Sequence, residues 1–172
     1  MRHLFLTILI VLMSFTACKK NSKANIGTKD ESINSQEVMK SDLEKLKFVE
    51  YVLDLKTELA IQDWQDYYQL NDVIINVKKG DLSFFNDNND AILLLLKNLK
   101  DNIPDQVNTD ATLARIAALE TKLFKLQSLS NLQTTTQKKL KTTIEEFLET
   151  FSNLNFQMNK KLEKDNQQIE KP

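Results

Sequence analysis

The chain has 172 residues, 41% of them hydrophobic and 27% charged, with a formal net charge of −1. A near-neutral balance with only two arginines, Arg2 and Arg115, gives no footprint for nucleic acid. One histidine, one cysteine, two glycines and two prolines exclude most catalytic and metal-binding constellations and argue against a turn-rich β fold.

Residues 1–18, MRHLFLTILIVLMSFTAC, open the chain. Arg2 is a short positive start, Leu4 to Met13 an apolar run, and Thr16 and Ala17 are small residues before Cys18. That order reads as a secretory signal over 1–17, too short to span a bilayer. A lone cysteine directly after it resembles the lipobox of bacterial lipoproteins. Phe15 departs from the leucine usual in that family at the third position before the cysteine. The resemblance implies that the signal is removed and that Cys18 carries a lipid. An ordinary signal peptide or an uncleaved anchor is the alternative. Lysines outnumber arginines 21 to 2, with sixteen asparagines, a composition similar to that of helical lipoproteins of AT-rich bacteria, the Bacteroidota among them. Lys19 follows the cysteine where Asp can signal inner-membrane retention in lipoproteins. The resemblance therefore implies an envelope protein, anchored in the outer membrane and facing the periplasm.

Residues 18–33 are the lipidated cysteine and a polar stretch that cannot bury a core, hence a flexible tether. An extension of the first helix is the alternative. The domain proper is set at 34–168, with a frayed tail at 169–172.

Helical signals begin at Asn34 or at the capping box Ser41-x-x-Glu44. Leu43, Leu46, Val49, Leu53, Ala60, Trp64, Tyr67, Ile74 and Val77 recur mostly at steps of three and four. They predict one long helix over about 41–79, continuous or kinked, ended by Gly80 in a left-handed cap. Asp81 to Phe85 should form a single turn, and 86–90 a loop capped at Asn89 or Asp90. Residues 91–100 form a short, very apolar helix that stops before Ile103-Pro104. Asn108 or Thr109 caps a helix over 110–130, with Leu113, Ile116, Ala117, Leu123 and Leu126 inward. Thr134-x-x-Gln137 opens a helix over about 135–165 on the ladder Leu140, Ile144, Phe147, Phe151, Leu154, Met158 and Leu162. Short connections make neighbours antiparallel. The predicted fold is all-α: an elongated up-and-down helical bundle of three long helices and one short one.

The single histidine, His3, lies in the signal, so the mature chain has no imidazole. Serine and cysteine triads, His-ligated metals and glycine-rich phosphate loops are all excluded. Asp87, Asn89 and Asp90 fail the calcium-loop pattern, since Ile92 and Asn98 stand where Gly and Glu are needed. Glu50, Asp54 and Glu58, and Glu145 with Glu149, read as solvated helix faces. No catalytic residue, metal site or cofactor is assigned. Aromatic surface gathers around Trp64, Tyr67, Tyr68, Phe84 and Phe85, which is either core or a docking surface. Tyr68, Phe84 and Phe85 are the candidate partner surface. The function expected is that of a membrane-tethered, non-enzymatic envelope lipoprotein. It would act as a protein-interaction or structural module, held to the membrane by the lipid on Cys18 and meeting an unidentified envelope protein. The alternative is a small-ligand or lipid-binding module with a pocket between helices.

Overall fold

A computed structural model describes Leu43 and residues 46–167. The signal, Cys18, the tether, the caps at Asn34 and Ser41-x-x-Glu44, and the tail at 169–172 lie outside the described residues. Leu43 is helical, and among the residues described beyond it five α-helices follow in chain order: α1 (Leu55–Ala60), α2 (Gln65–Lys78), α3 (Asn89–Asp101), α4 (Asp110–Ser130) and α5 (Gln137–Asp165). A 3-10 turn at Ser83–Phe85 sits between α2 and α3. No strand occurs among the described residues, and the fold is an all-α bundle.

Each helix boundary has a local cause. The Asp54 carboxylate accepts the Thr57 N–H at 2.8 Å and starts α1. Past the last turn of α2, Gly80 takes φ 85°. Its N–H donates to the Val77 carbonyl at 2.9 Å, and the Asp81 N–H donates to the Asn76 carbonyl at 3.0 Å. That pair of bonds is a Schellman cap, which requires a left-handed residue where glycine stands. Thr109 caps α4 through the Thr112 N–H, so the predicted span of 110–130 matches the observed helix. Thr136 rather than Thr134 caps α5, its hydroxyl accepting the Lys139 N–H at 3.3 Å.

Cross-links show that successive helices reverse. The Asn102 amide at the end of α3 donates to Asp66 at the start of α2, at 2.8 Å. Lys122 and Lys125 of α4 both reach Glu146 of α5, at 3.0 and 2.6 Å. All seven members of the α5 ladder are buried. Each contributes about 1.5–3 kcal/mol when fully withdrawn from water, which makes α5 the central pillar of the core. On α4, Ile116, Leu123 and Leu126 face inward as predicted, but Leu113 is 37% exposed and Ala117 is exposed. Thr112 and Leu119 take the inward places of Leu113 and Ala117, so the buried stripe keeps three of the five predicted positions. On α3 the leucine run divides: Leu95 and Leu96 are buried, while Leu93 and Leu94 face solvent.

The largest correction concerns the predicted helix over 41–79. The Leu46 N–H still donates to the Leu43 carbonyl at 3.1 Å, but residues 47–53 have no helical hydrogen bonding and run as a strap against α5. The chain then forms the short α1, bends at Ile61–Asp63 and resumes as α2. Phe48, Val49, Tyr51 and Val52 are β-branched or aromatic and lose χ1 freedom in a helix, so local preference there is for extended backbone. Val49, placed on the predicted buried stripe, is 64% exposed. Gln62 and Asp63 stay exposed at the bend while Ile61 and Trp64 are both buried. No helix among the described residues is long and apolar enough to cross a membrane.

Candidate functional site

The strap is held by a second, polar ladder on α5. Glu145, Ser152, Asn155 and Asn159 are spaced by seven, three and four residues, which places them on one helical face. Glu145 accepts the Lys47 N–H at 3.2 Å. The Ser152 hydroxyl accepts the Tyr51 N–H at 2.6 Å and donates to the Val49 carbonyl at 2.7 Å. The Asn155 amide donates to the Tyr51 carbonyl at 3.1 Å. Asn159 donates to the Val52 carbonyl at 2.8 Å and accepts the Asp54 N–H at 3.1 Å. Side chains of one helix thus do for the strap what a neighbouring strand would do in a sheet.

Between the strap, α2 and α5 lies a half-open cleft of about 410 Å³. Its floor is Tyr67, Ile74, Leu148 and Phe151, and one wall is Phe48 and Glu50 to Leu53 of the strap. Tyr67 is fixed there by three contacts. Its hydroxyl donates to Asn155 at 2.8 Å, and its ring stacks on Phe151 at 5.6 Å and on Trp64 at 5.6 Å. Burial pushes the Tyr67 phenol well above its ordinary value, with Tyr68 and Glu58 adding to the rise and the Asn155 bond opposing it. The phenol is therefore neutral and a committed donor. At the rim, Lys78 of α2 pairs with Glu50 of the strap. A second, smaller cavity of about 290 Å³ shares Phe48, Glu50, Lys78 and Leu148 with the first, so this ion pair stands where the two meet.

Three polar groups lining the cleft have no hydrogen-bond partner among the described residues: the Tyr68 hydroxyl, the Asn71 amide and the Glu58 carboxylate. Ligand sites are built from a few such groups set among apolar walls. Val52 on the cleft wall is 71% exposed, and Val49, Leu55 and Leu59, close to it in sequence, are also 59–71% exposed.

Of the candidate surface residues, only Tyr68 lines the cleft. It is half-buried and meets Tyr67 edge to face at 5.5 Å. Phe84 is half-buried on the 3-10 turn, and its ring meets Phe85 edge to face at 5.5 Å. Phe85 is fully buried and also meets Phe147 of α5 at 6.1 Å, so it is corrected to core. Its alternating turn neighbours left no helical phase from which the sequence could decide which ring points inward. The predicted carboxylate row also dissolves: Glu50 is in the ion pair, Asp54 is a helix cap, and Glu58 lines the cleft. Sequence reading missed Ser152, Asn155 and Asn159. Their signal was polar residues at steps of three and four beside an apolar ladder, a pattern that also fits a solvated helix face. Among the described residues, no cluster of histidine, cysteine and carboxylates has the form of a metal site.

No known protein family, curated protein or solved structure matches this chain.

Proposed function

We propose that this protein is a lipid-anchored, non-enzymatic binding module of the cell envelope, and that its working surface is the cleft between strap, α2 and α5. The observation that carries the reading is a half-open cleft of mixed polar and apolar lining in which Tyr68, Asn71 and Glu58 are left for a partner, with exposed Val52 on its wall. A half-open cleft with an exposed apolar residue on its wall suits a macromolecular partner lying across it more than a small molecule enclosed in it. The sequence supports the anchor: a signal over 1–17, then Cys18, with Lys19 favouring the outer membrane and a periplasmic orientation. The absence of histidine after residue 3 supports a role in binding rather than catalysis.

Two measurements test this in the native host. Mass spectrometry of the N-terminal peptide should find a lipid mass on Cys18, and Cys18→Ser should release the protein from membranes. A photo-cross-linking residue at position 68 should form a discrete adduct that the same probe at exposed position 149 does not. An unmodified thiol refutes the anchor, and equal labelling at both positions refutes the surface.

A further inference from the structure

Over Lys47 to Tyr51 the strap turns one edge to α5; at Val52 and Asp54 the alternation breaks, and both bond Asn159. In an extended chain, the N–H and C=O of alternate residues point to opposite sides. The main-chain groups of Lys47, Val49 and Tyr51 go to Glu145, Ser152 and Asn155. Alternation puts those of Phe48 and Glu50 on the other edge, where none has a partner among the described residues. Both residues line the cleft. The cleft therefore joins the open main-chain edge of Phe48 and Glu50 to an aromatic wall, Tyr68, and an amide, Asn71, which can donate to and accept from a peptide bond at once. Its charge is one-sided. Lys78 is answered by Glu50, whereas no cation meets Glu58.

We propose that the cleft takes an extended peptide segment carrying a lysine or arginine, which adds as a strand to the Phe48–Glu50 edge of the strap. This deepens the binding-module reading and rests on it. Main-chain bonds to the edge set the register, Tyr68 and Phe48 flank the side chains, and Glu58 selects for positive charge. Strand addition of this kind gets affinity from main-chain bonds and specificity from alternate side chains. The open edge from Phe48 to Glu50 spans roughly 7 Å at about 3.3 Å per residue, enough to register two residues of a short segment. Glu50 remains committed to Lys78, so peptide binding need not break the rim.

The test uses the intact protein and the synthetic peptide acetyl-Val-Lys-Val-Lys-Val-amide, with two forms N-methylated on alternate amides. Titration calorimetry should show one methylated form weakened more than tenfold and the other nearly unchanged, because only one set of amides faces the strap. Replacing both lysines of the peptide by glutamine should weaken binding severalfold, and Glu58→Gln should erase that difference. Equal effects of the two methylated forms would overturn strand addition. Equal binding of lysine and glutamine peptides would overturn the charge assignment. No binding at millimolar peptide would overturn the peptide inference. A specific cross-link from position 68 in the envelope would then still stand for the broader reading, so the two failures are distinguishable.

Discussion

The Tyr67–Asn155 bond is where the strap, α2 and α5 meet, and it allows a sharp energetic test. Asn155 is 5% exposed and serves two partners: its amide donates to the Tyr51 carbonyl and its carbonyl accepts the Tyr67 hydroxyl. Asn155→Ala removes both bonds. The Tyr51 carbonyl belongs to an exposed residue, so water replaces much of what it loses. The Tyr67 hydroxyl sits on a residue only 3% exposed, and stranding it carries a desolvation cost of about 1–3 kcal/mol. Adding about 1 kcal/mol for the strap bond gives a total loss of about 2–4 kcal/mol.

Tyr67→Phe removes the hydroxyl instead and leaves the Asn155 carbonyl unmet, for a loss of about 1–2 kcal/mol. In the double variant, neither partner strands the other. The combined loss should therefore fall short of the sum of the single losses by about 1 kcal/mol. Urea unfolding followed by circular dichroism of the purified protein reads all four corners of the cycle. Additivity within about 0.3 kcal/mol would refute the claim that this bond ties the strap's anchor to the cleft floor.

Other consequences follow from the same contacts. Phe151 is 5% exposed and stacked on Tyr67, so Phe151→Ala should cost about 3–5 kcal/mol in the same unfolding assay, whereas exposed Glu149→Ala should stay within about 0.5 kcal/mol. The raised Tyr67 pKa makes folding bind the phenolic proton more tightly than the unfolded chain does. Its stabilisation is present below the unfolded value of about 10 and is lost as pH rises beyond it. Tyr67→Phe should blunt alkaline unfolding, and absorbance titration should show one tyrosine ionising only as the protein unfolds. Hydrogen bonds from the Lys125 and Lys122 ammonium groups hold the Glu146 pKa down, so that contribution is present above the ordinary glutamate value and lost as pH falls through the folded one. Thermal melts of Glu146→Gln should be lower than those of the parent at pH about 7 in low salt, and the gap should close in about 1 M salt or at pH about 2.

What could be read from the sequence depended on how far away each determinant lay. The helix over 110–130 was legible because its cap, Thr109, and its end are local signals. The α5 ladder was legible because seven apolar positions keep one phase over about six turns of a single helix. The strap was not, because Leu46, Val49 and Leu53 happen to share helical spacing with Leu43, which is helical as predicted. What decides their conformation is a set of bonds to residues about a hundred positions away on α5. The break before α2 was hidden for a related reason. Trp64 and Tyr67 fit either one long helix or a corner in which both rings stack. For the site, Tyr68 was legible as an aromatic off the centre of its stripe. Glu58 and Asn71 were not, because a lone carboxylate and a lone amide on a helix carry no chemistry until a second element faces them.

The bundle and the strap are held by different forces, and that difference has a measurable consequence. Helices α2 to α5 bury a continuous apolar core, while the strap keeps Val49, Tyr51 and Val52 exposed and buries Phe48 and Leu53 only in part. Its attachment rests on a few side-chain hydrogen bonds, each contributing about 0.5–1.5 kcal/mol net, and on the rim ion pair between exposed groups. The strap should therefore open at a lower free energy than the bundle unfolds. Native-state hydrogen exchange reads this directly. The Tyr51 and Asp54 amides, which donate to Ser152 and Asn159, should exchange through a small local opening that is insensitive to low urea. The interior α5 amides of Leu148 and Phe151 should exchange only through global unfolding, with a steep urea dependence. Ser152→Ala should speed exchange at Tyr51 while leaving the α5 amides almost unchanged. If Tyr51 and Phe151 instead share one opening free energy and one urea dependence, the strap is part of the core's cooperative unit, and access to the cleft requires unfolding the domain.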